Sequence, residues 1–280
     1  MLNLPNPNLH IEYLHMSIDT LFEAFNETKS EYIINVPKTW GQGRTLYGGI
    51  STALAYQAAE NLILDDRSLR SLHCNFVGPL NWDEPVVVSA EVLRTGKNVT
   101  QLLAKVCQNG QVGVMAQICF GMSRESKLFS QAPDKHVMQV PKKGNFIPNI
   151  PKLVPAFIQH FNLSLHKGSF GLGKSEEAAL HGWSRFASAP KTMRMAYFIA
   201  LMDAWPPTMF QMLRLPAPAS TMSWDIEFIN PKHPLDPTAW FASETIAKHI
   251  QDGYGHEEAK FWDQDGNLLA LSRQVVTVFA

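Results

Sequence analysis

Residues 40–64 read WGQGRTLYGGISTALAYQAAENLIL. Gly48 and Gly49 precede a run whose small and apolar positions are Ala53, Leu54, Ala55, Ala58, Ala59 and Leu62. The pattern predicts a helix entered through a Gly-Gly turn, with side chains small enough to pack closely on a sheet. Polarity rises at Leu64-Asp65-Asp66-Arg67, where the helix is expected to end. Strand signals follow. In residues 71–76, Leu72, Cys74 and Phe76 alternate with Ser71, His73 and Asn75, the period of a strand with one buried face. Gly78-Pro79 breaks it. Residues 85–93 (PVVVSAEVL) are rich in β-branched side chains, which suit a pleated backbone. Residues 99–107 and 112–120 are two more strand candidates, and the Asn109-Gly110 pair between them is a hairpin signal. The first half therefore reads strand, helix, then four strands.

Residues 122–155 break this regularity with Lys127, Lys135, Lys142, Lys143 and spaced prolines at 133, 141, 148, 151 and 155. The second half then repeats the order. Residues 161–166 and 182–187 are short strand-like runs around a Gly-rich turn. A helix is expected within 193–213, interrupted at Pro206-Pro207. Strand-like runs follow at 221–229, 240–246, 259–263 and 268–279, with Asp265-Gly266 between the last two. Helix followed by four strands, twice, is an order repeat without a sequence repeat. It predicts an α+β protein of two similar units, residues 1–125 and 158–280, joined by a linker over 126–157.

The 280 residues are 45% hydrophobic and 18% charged, enough to bury a sizeable core. A net charge of −1 lacks the basic surplus of a duplex binder or a polybasic membrane surface, so neither nucleic acid nor membrane is expected as a partner. Cys74, Cys107 and Cys119 fall in strand-like runs, and no C-x-x-C pair occurs. They are read as free thiols of a reducing compartment. The first residues show no signal-peptide pattern, and the last three, Val278-Phe279-Ala280, are no peroxisomal address. A cytoplasmic location is expected. Neither a metal site nor a cofactor is expected, because the histidines show no zinc spacing.

Asp203 is the sharpest chemical signal. It follows Ala196-Tyr197-Phe198-Ile199-Ala200-Leu201-Met202 and precedes Ala204-Trp205, all apolar or aromatic. A helix apolar all round is a buried helix, and an ionised carboxylate there costs several kcal/mol unless partnered. Desolvation pushes such a carboxyl group towards the range of a general base. At the other helix, the backbone N–H groups after Gly48-Gly49 are candidates to stabilise an oxyanion or hold substrate.

Several short stretches carry a family resemblance. They are Tyr47-Gly48-Gly49, residues 69–76 (LRSLHCNF) with Pro79, and Leu93-Arg94-Thr95-Gly96-Lys97. In the second half they are Gly182-Trp183-Ser184-Arg185, Leu201-Met202-Asp203, Ser220-Thr221-Met222 and residues 265–274 (DGNLLALSRQ). As an ordered set they resemble the double-hotdog acyl-CoA thioesterases of the thioesterase II type, over roughly 30–120 and 160–279. After Gln274 the chain runs Val275-Val276, where the family often shows Glu-Gly. The resemblance implies a double hotdog, in which each of two fused units wraps an antiparallel sheet around a helix. It implies hydrolysis of acyl-CoA to free acid and CoA, an activity of fatty acid metabolism, by a water that Asp203, Thr221 and Gln274 hold. Pairing through exposed sheet edges makes a homodimer the expected assembly.

Residues 168–175 (GSFGLGKS) fit the letters of a phosphate-binding loop, but such a loop needs parallel βα units, and consecutive strands follow instead. The segment is read as a hairpin tip. No Gly-x-Ser-x-Gly elbow occurs. A hotdog hydratase or dehydratase would need a histidine near the helix, with His73, His233, His249 and His256 available. A catalytically silent acyl-CoA-binding protein is the remaining alternative.

Overall fold

The computed structural model describes residues 16–130, 135–145, 154–169, 175–215 and 217–279. Two helices, α1 (Gly48–Glu60) and α2 (Met195–Met202), pack on each other inside one curved sheet. The strands of this sheet are β1 (Glu31–Ile34), β2 (Ser68–Phe76), β3 (Val86–Thr95), β4 (Val99–Gln108), β5 (Gln111–Gly121), β6 (Phe161–Lys167), β7 (Ala179–Phe186), β8 (Ala219–Phe228), β9 (Phe241–Gln251), β10 (Tyr254–Trp262) and β11 (Leu268–Val278). All pairings are antiparallel, in the order β1-β3-β4-β5-β2-β8-β11-β10-β9-β7-β6. Read outward from the β2–β8 junction, each half gives the same succession: first, fourth, third and second strand after its helix, then the strand before the helix. The second half adds β6 at the edge. This is the α+β double hotdog expected from the order of helix and strand signals.

Local chemistry explains the elements. Asn109 and Gly110 have φ of 52° and 76°, the left-handed pair of a two-residue hairpin between β4 and β5. Asp252 and Gly253, at 55° and 81°, do the same between β9 and β10. The alternation seen in 71–76 places Leu72 and Cys74 in the core and His73 outside. Every residue of α2 after Met195 is buried, as its composition requires. Burying each such large apolar side chain contributes roughly 1.5–3 kcal/mol. Across the β2–β8 junction His73 pairs with Asp225 on the outer face, while Trp224, fully buried, donates its indole N–H to Ser272 Oγ at 2.7 Å.

Between the halves, the described residues of 122–145 form no helix or strand. Met138 and His136 cover Trp183, Trp240 and Trp262 on the face of the sheet away from the helices. Asn145 then lies along β6. Its backbone N–H donates to Leu163 O at 3.0 Å and its Oδ1 accepts from Leu165 N at 2.7 Å. One asparagine thus occupies the edge of the last strand. Among the described residues no helix is long and apolar enough to cross a membrane.

Candidate active site

The two helices meet end to flank, and their contact builds the site. Gly49 approaches so closely that a Cβ on it would lie 2.8 Å from Ala200 O. Tyr47, just ahead of α1, donates its hydroxyl to that same carbonyl at 2.7 Å. The first turn of α1 is thereby fixed against the last turn of α2, where Asp203 is the C-cap residue. Pro206-Pro207 follow and prevent the helix from continuing. The sequence pattern placed Asp203 within the helix; it stands at the helix end, with its carboxylate turned into a cavity of about 640 Å³. Tyr47, Phe76, Phe157, Trp205, Phe210 and Phe261 give this cavity apolar walls.

Three polar side chains converge there. Gln274 Nε2 donates to Asp203 Oδ1 at 3.0 Å, and Thr221 Oγ1 donates to Gln274 Oε1 at 3.3 Å. Gln274 and Trp224 are register partners, and both point inward. Thr221 is three residues from Trp224, so in a regular strand it would face the opposite side. A bulge between Thr221 and Ser223 inserts one residue into β8 and turns Thr221 into the cavity, leaving Met222 half-exposed outside. The structure thus brings Asp203, Thr221 and Gln274 into one hydrogen-bonded chain.

Burial pushes the Asp203 carboxyl group up to about 7. The Gln274 amide and the Gly49 N–H donate to it and pull the value down, while the charge of Glu257 raises it. Gly48 and Gly49 therefore have separate parts. The N–H of Gly49, one of the donors the sequence reading assigned to an oxyanion, is engaged with the carboxylate. Gly48 leaves open the space in front of it, since a Cβ there would lie 3.0 Å from Asp203 Oδ2.

Glu257 was not singled out in the sequence. It lies in a polar run, Gly255-His256-Glu257-Glu258, that reads as surface. It is nonetheless buried and lines the same cavity. A carboxylate paired in register with Gln274 had no signal in the sequence, because that pairing depends on the register of β10 on β11.

The phosphate-loop letters lie in the β6–β7 connection, an antiparallel pair, which is where a hairpin tip was expected. Residues 170–174 fall outside the described residues. After Ser175 the chain enters β7 at Ala179 rather than a helix, so the helix N-terminus such a loop needs does not follow. The four histidines considered for hydratase chemistry lie away from the cavity. His73 pairs with Asp225, His233 contacts Asp263 at 2.7 Å, and His249 and His256 neighbour each other on adjacent strands.

Comparison with known proteins follows the same two halves. The model of the acyl-CoA thioesterase N-terminal domain family matches residues 36–121, and that of the acyl-CoA thioesterase C-terminal domain matches 132–278. Acyl-CoA thioesterase 2 of Haemophilus influenzae is 35% identical over 66 residues, which span 24% of this chain and 23% of that protein. A hot dog-fold protein of unknown function from Alicyclobacillus acidocaldarius superposes with a TM-score of 0.79 at 23% identity, covering 93% of this chain and 98% of its own. An acyl-CoA thioesterase II from Mycobacterium marinum superposes at 0.68 with 14% identity, covering 92% and 96%. At these identities the two structures speak for the shared fold.

Proposed function

We propose, from the premise that this chain belongs to the acyl-CoA thioesterase family, that it hydrolyses acyl-CoA thioesters at the cavity around Asp203. One observation carries the proposal: a carboxylate held near neutrality by burial, aligned by an amide, with a bare glycine in front of it. A water between Asp203 and the thioester carbonyl attacks the carbonyl carbon as Asp203 takes its proton. Gln274 fixes the carboxylate and Thr221 fixes Gln274, so the base is oriented before substrate arrives. The N–H of Gly48, in the first turn of α1, is the donor we assign to the developing oxyanion. Collapse of the tetrahedral intermediate breaks the C–S bond. The thiolate of CoA leaves and recovers the proton from Asp203, which returns the carboxylate for the next cycle. General-base action of this kind contributes roughly 10²–10⁴-fold.

The same reading includes two units, 1–125 and 158–280, with 126–157 between them. It also includes action in fatty acid metabolism as a homodimer in the cytoplasm, where free thiols such as Cys74, Cys107 and Cys119 persist. The test is an assay of purified protein against acyl-CoA esters from acetyl to palmitoyl, with free CoA read by a thiol reagent, beside Asp203→Ala. Hydrolysis that disappears in the variant is expected. Folded protein inactive on every ester would overturn the proposal in favour of a silent acyl-CoA binder.

A further inference from the structure

The proposed hydrolysis leaves one buried carboxylate of the cavity without a task. Glu257 is 6% exposed, lies midway along β10 and is the register partner of Gln274. Its Oε1 accepts from both the N–H and the hydroxyl of Thr208, each at 2.7 Å. The N–H of Met209 also donates to this carboxylate. These two amides open the 3₁₀ turn Thr208–Met212, whose N-cap residue, Pro207, makes no side-chain cap. Glu257 therefore does from a neighbouring strand what a capping side chain does within its own helix. The turn begins five residues after Asp203 and puts Phe210 and Gln211 in the cavity wall. Gln211 ties it to the sheet by accepting from Ser169 N at 2.7 Å and donating to Ala179 O at 2.9 Å.

A neutral amide or hydroxyl acceptor would also cap this turn, so capping alone does not account for a carboxylate. We propose that Glu257 is a positioning residue for the hydrolysis, fixing the Thr208–Met212 turn to β10 and placing a second carboxyl group in the cavity that holds Asp203. The inference rests on the hydrolytic reading of that cavity. The surroundings agree with it. Thr208 and Met209 from the turn, Ser272 and Gln274 from β11 and Thr245 from β9 are all uncharged. Of the other titratable groups that act on or feel Asp203, burial holds the Tyr47 phenol well above its ordinary value and the Cys74 thiol at about 12, so both stay neutral. Glu258, the next residue on β10, is paired with Lys248 at 3.4 Å and Arg273 at 3.1 Å. Burial raises the Glu257 carboxyl while its Thr208 and Met209 donors pull it down; once ionised, it is a like charge in a poorly screened site that disfavours the Asp203 carboxylate and keeps Asp203 a competent proton acceptor.

Glu257→Gln tests this, because the amide keeps the size and the acceptor oxygen for Thr208 while removing the charge. The acid limb of kcat/KM on the best acyl-CoA ester is expected to move to lower pH by on the order of one unit. A ¹³C NMR titration of the Asp203 carboxyl carbon, assigned with Asp203→Asn, is expected to move the same way and needs no substrate. Should the variant fail to fold, the wild-type titration decides: coupled carboxyl groups each show the other's step, and independent single-step curves overturn the proposal. Hydrolysis with neither acid limb nor carboxyl midpoint displaced discards the role of Glu257 and leaves the thioesterase reading standing. A displaced midpoint in a protein that hydrolyses no acyl-CoA discards the thioesterase reading and keeps the charge pairing.

Discussion

Gly48 faces Asp203 across a space that a side chain would fill: a Cβ on the glycine would lie 3.0 Å from Asp203 Oδ2 and 3.2 Å from Phe76 Cε1. Its neighbour faces other atoms. A Cβ on Gly49 would lie 2.7 Å from the Tyr47 ring and 2.8 Å from Ala200 O. The two alanine variants should therefore fail differently. Gly48→Ala displaces the carboxylate and fills the approach to it, so kcat/KM falls by roughly 10²-fold with little change in melting temperature. Gly49→Ala forces the helices apart and costs about 1–3 kcal/mol of stability, measured by denaturant unfolding.

Asp203→Asn should lose activity and gain stability. Removing the base lowers kcat by roughly 10²–10⁴-fold. For stability the sign follows from a folded-state value of about 7, above the ordinary 3.8. The folded protein binds the proton more tightly than the unfolded chain, so Asp203 adds stability at low pH and that contribution disappears as pH rises through about 7. Above that range the wild type carries the cost of an ionised buried carboxylate and the asparagine variant does not. The melting temperature of the variant relative to wild type should rise with pH between about 4 and about 7.

The pH dependence of hydrolysis should report the same group. In the wild type, kcat/KM is expected to rise with pH through about 7 as Asp203 ionises. Gln274→Ala removes a donor that holds the carboxyl value down, so the limb should shift to higher pH and activity near neutrality should fall. Thr221→Val spares that donor and frees the amide to rotate. We expect a loss of roughly tenfold in kcat/KM with the limb in place. Initial rates from pH 5 to 9 separate the two.

Asn145→Ala should weaken the far edge of the sheet. It removes the side-chain acceptor for Leu165 N and the donor to Leu165 O. The loss is about 1–2 kcal/mol by unfolding, and light scattering should show concentration-dependent association through the bared β6 edge.

Much of this was legible in the sequence, for identifiable reasons. Period-two alternation at 71–76 and the Asn109-Gly110 turn are local signals, and they placed β2 and the β4–β5 hairpin. An acid among nine apolar or aromatic residues marked Asp203, because burial cost depends on composition as much as on geometry. The misses lie where tertiary structure overrode local polarity. The ninth strand was expected to end at 246, but it runs to Gln251, and β10 begins at Tyr254 rather than 259. Lys248, His249, His256 and Glu258 face solvent and gave that hairpin the look of a loop, with Asp252-Gly253 as its overlooked turn. Glu257 was hidden with them, since its partners on the 208–212 turn lie 49 residues away in sequence. The bulge that aims Thr221 has no sequence marker either; Ser220-Thr221-Met222-Ser223 reads as plain strand.

The site draws unlike parts from the two halves: Gly48 and Gly49 come from the first, Asp203, Thr221 and Gln274 from the second. Two identical copies related by a twofold axis would each have to carry both sets and would build two centres. A fused chain is released from that symmetry. At the corresponding place, α2 opens with Met195-Ala196 where α1 has Gly48-Gly49, and the ninth position from the start of α1 is Tyr56, bonded to Glu60, where the ninth from the start of α2 is Asp203. That place in the first half is filled by packing, with Tyr56 buried, so the candidate centre commits each half to the other. Cut within residues 122–130, the protein should yield two fragments that are each inert, with hydrolysis returning only when they are mixed.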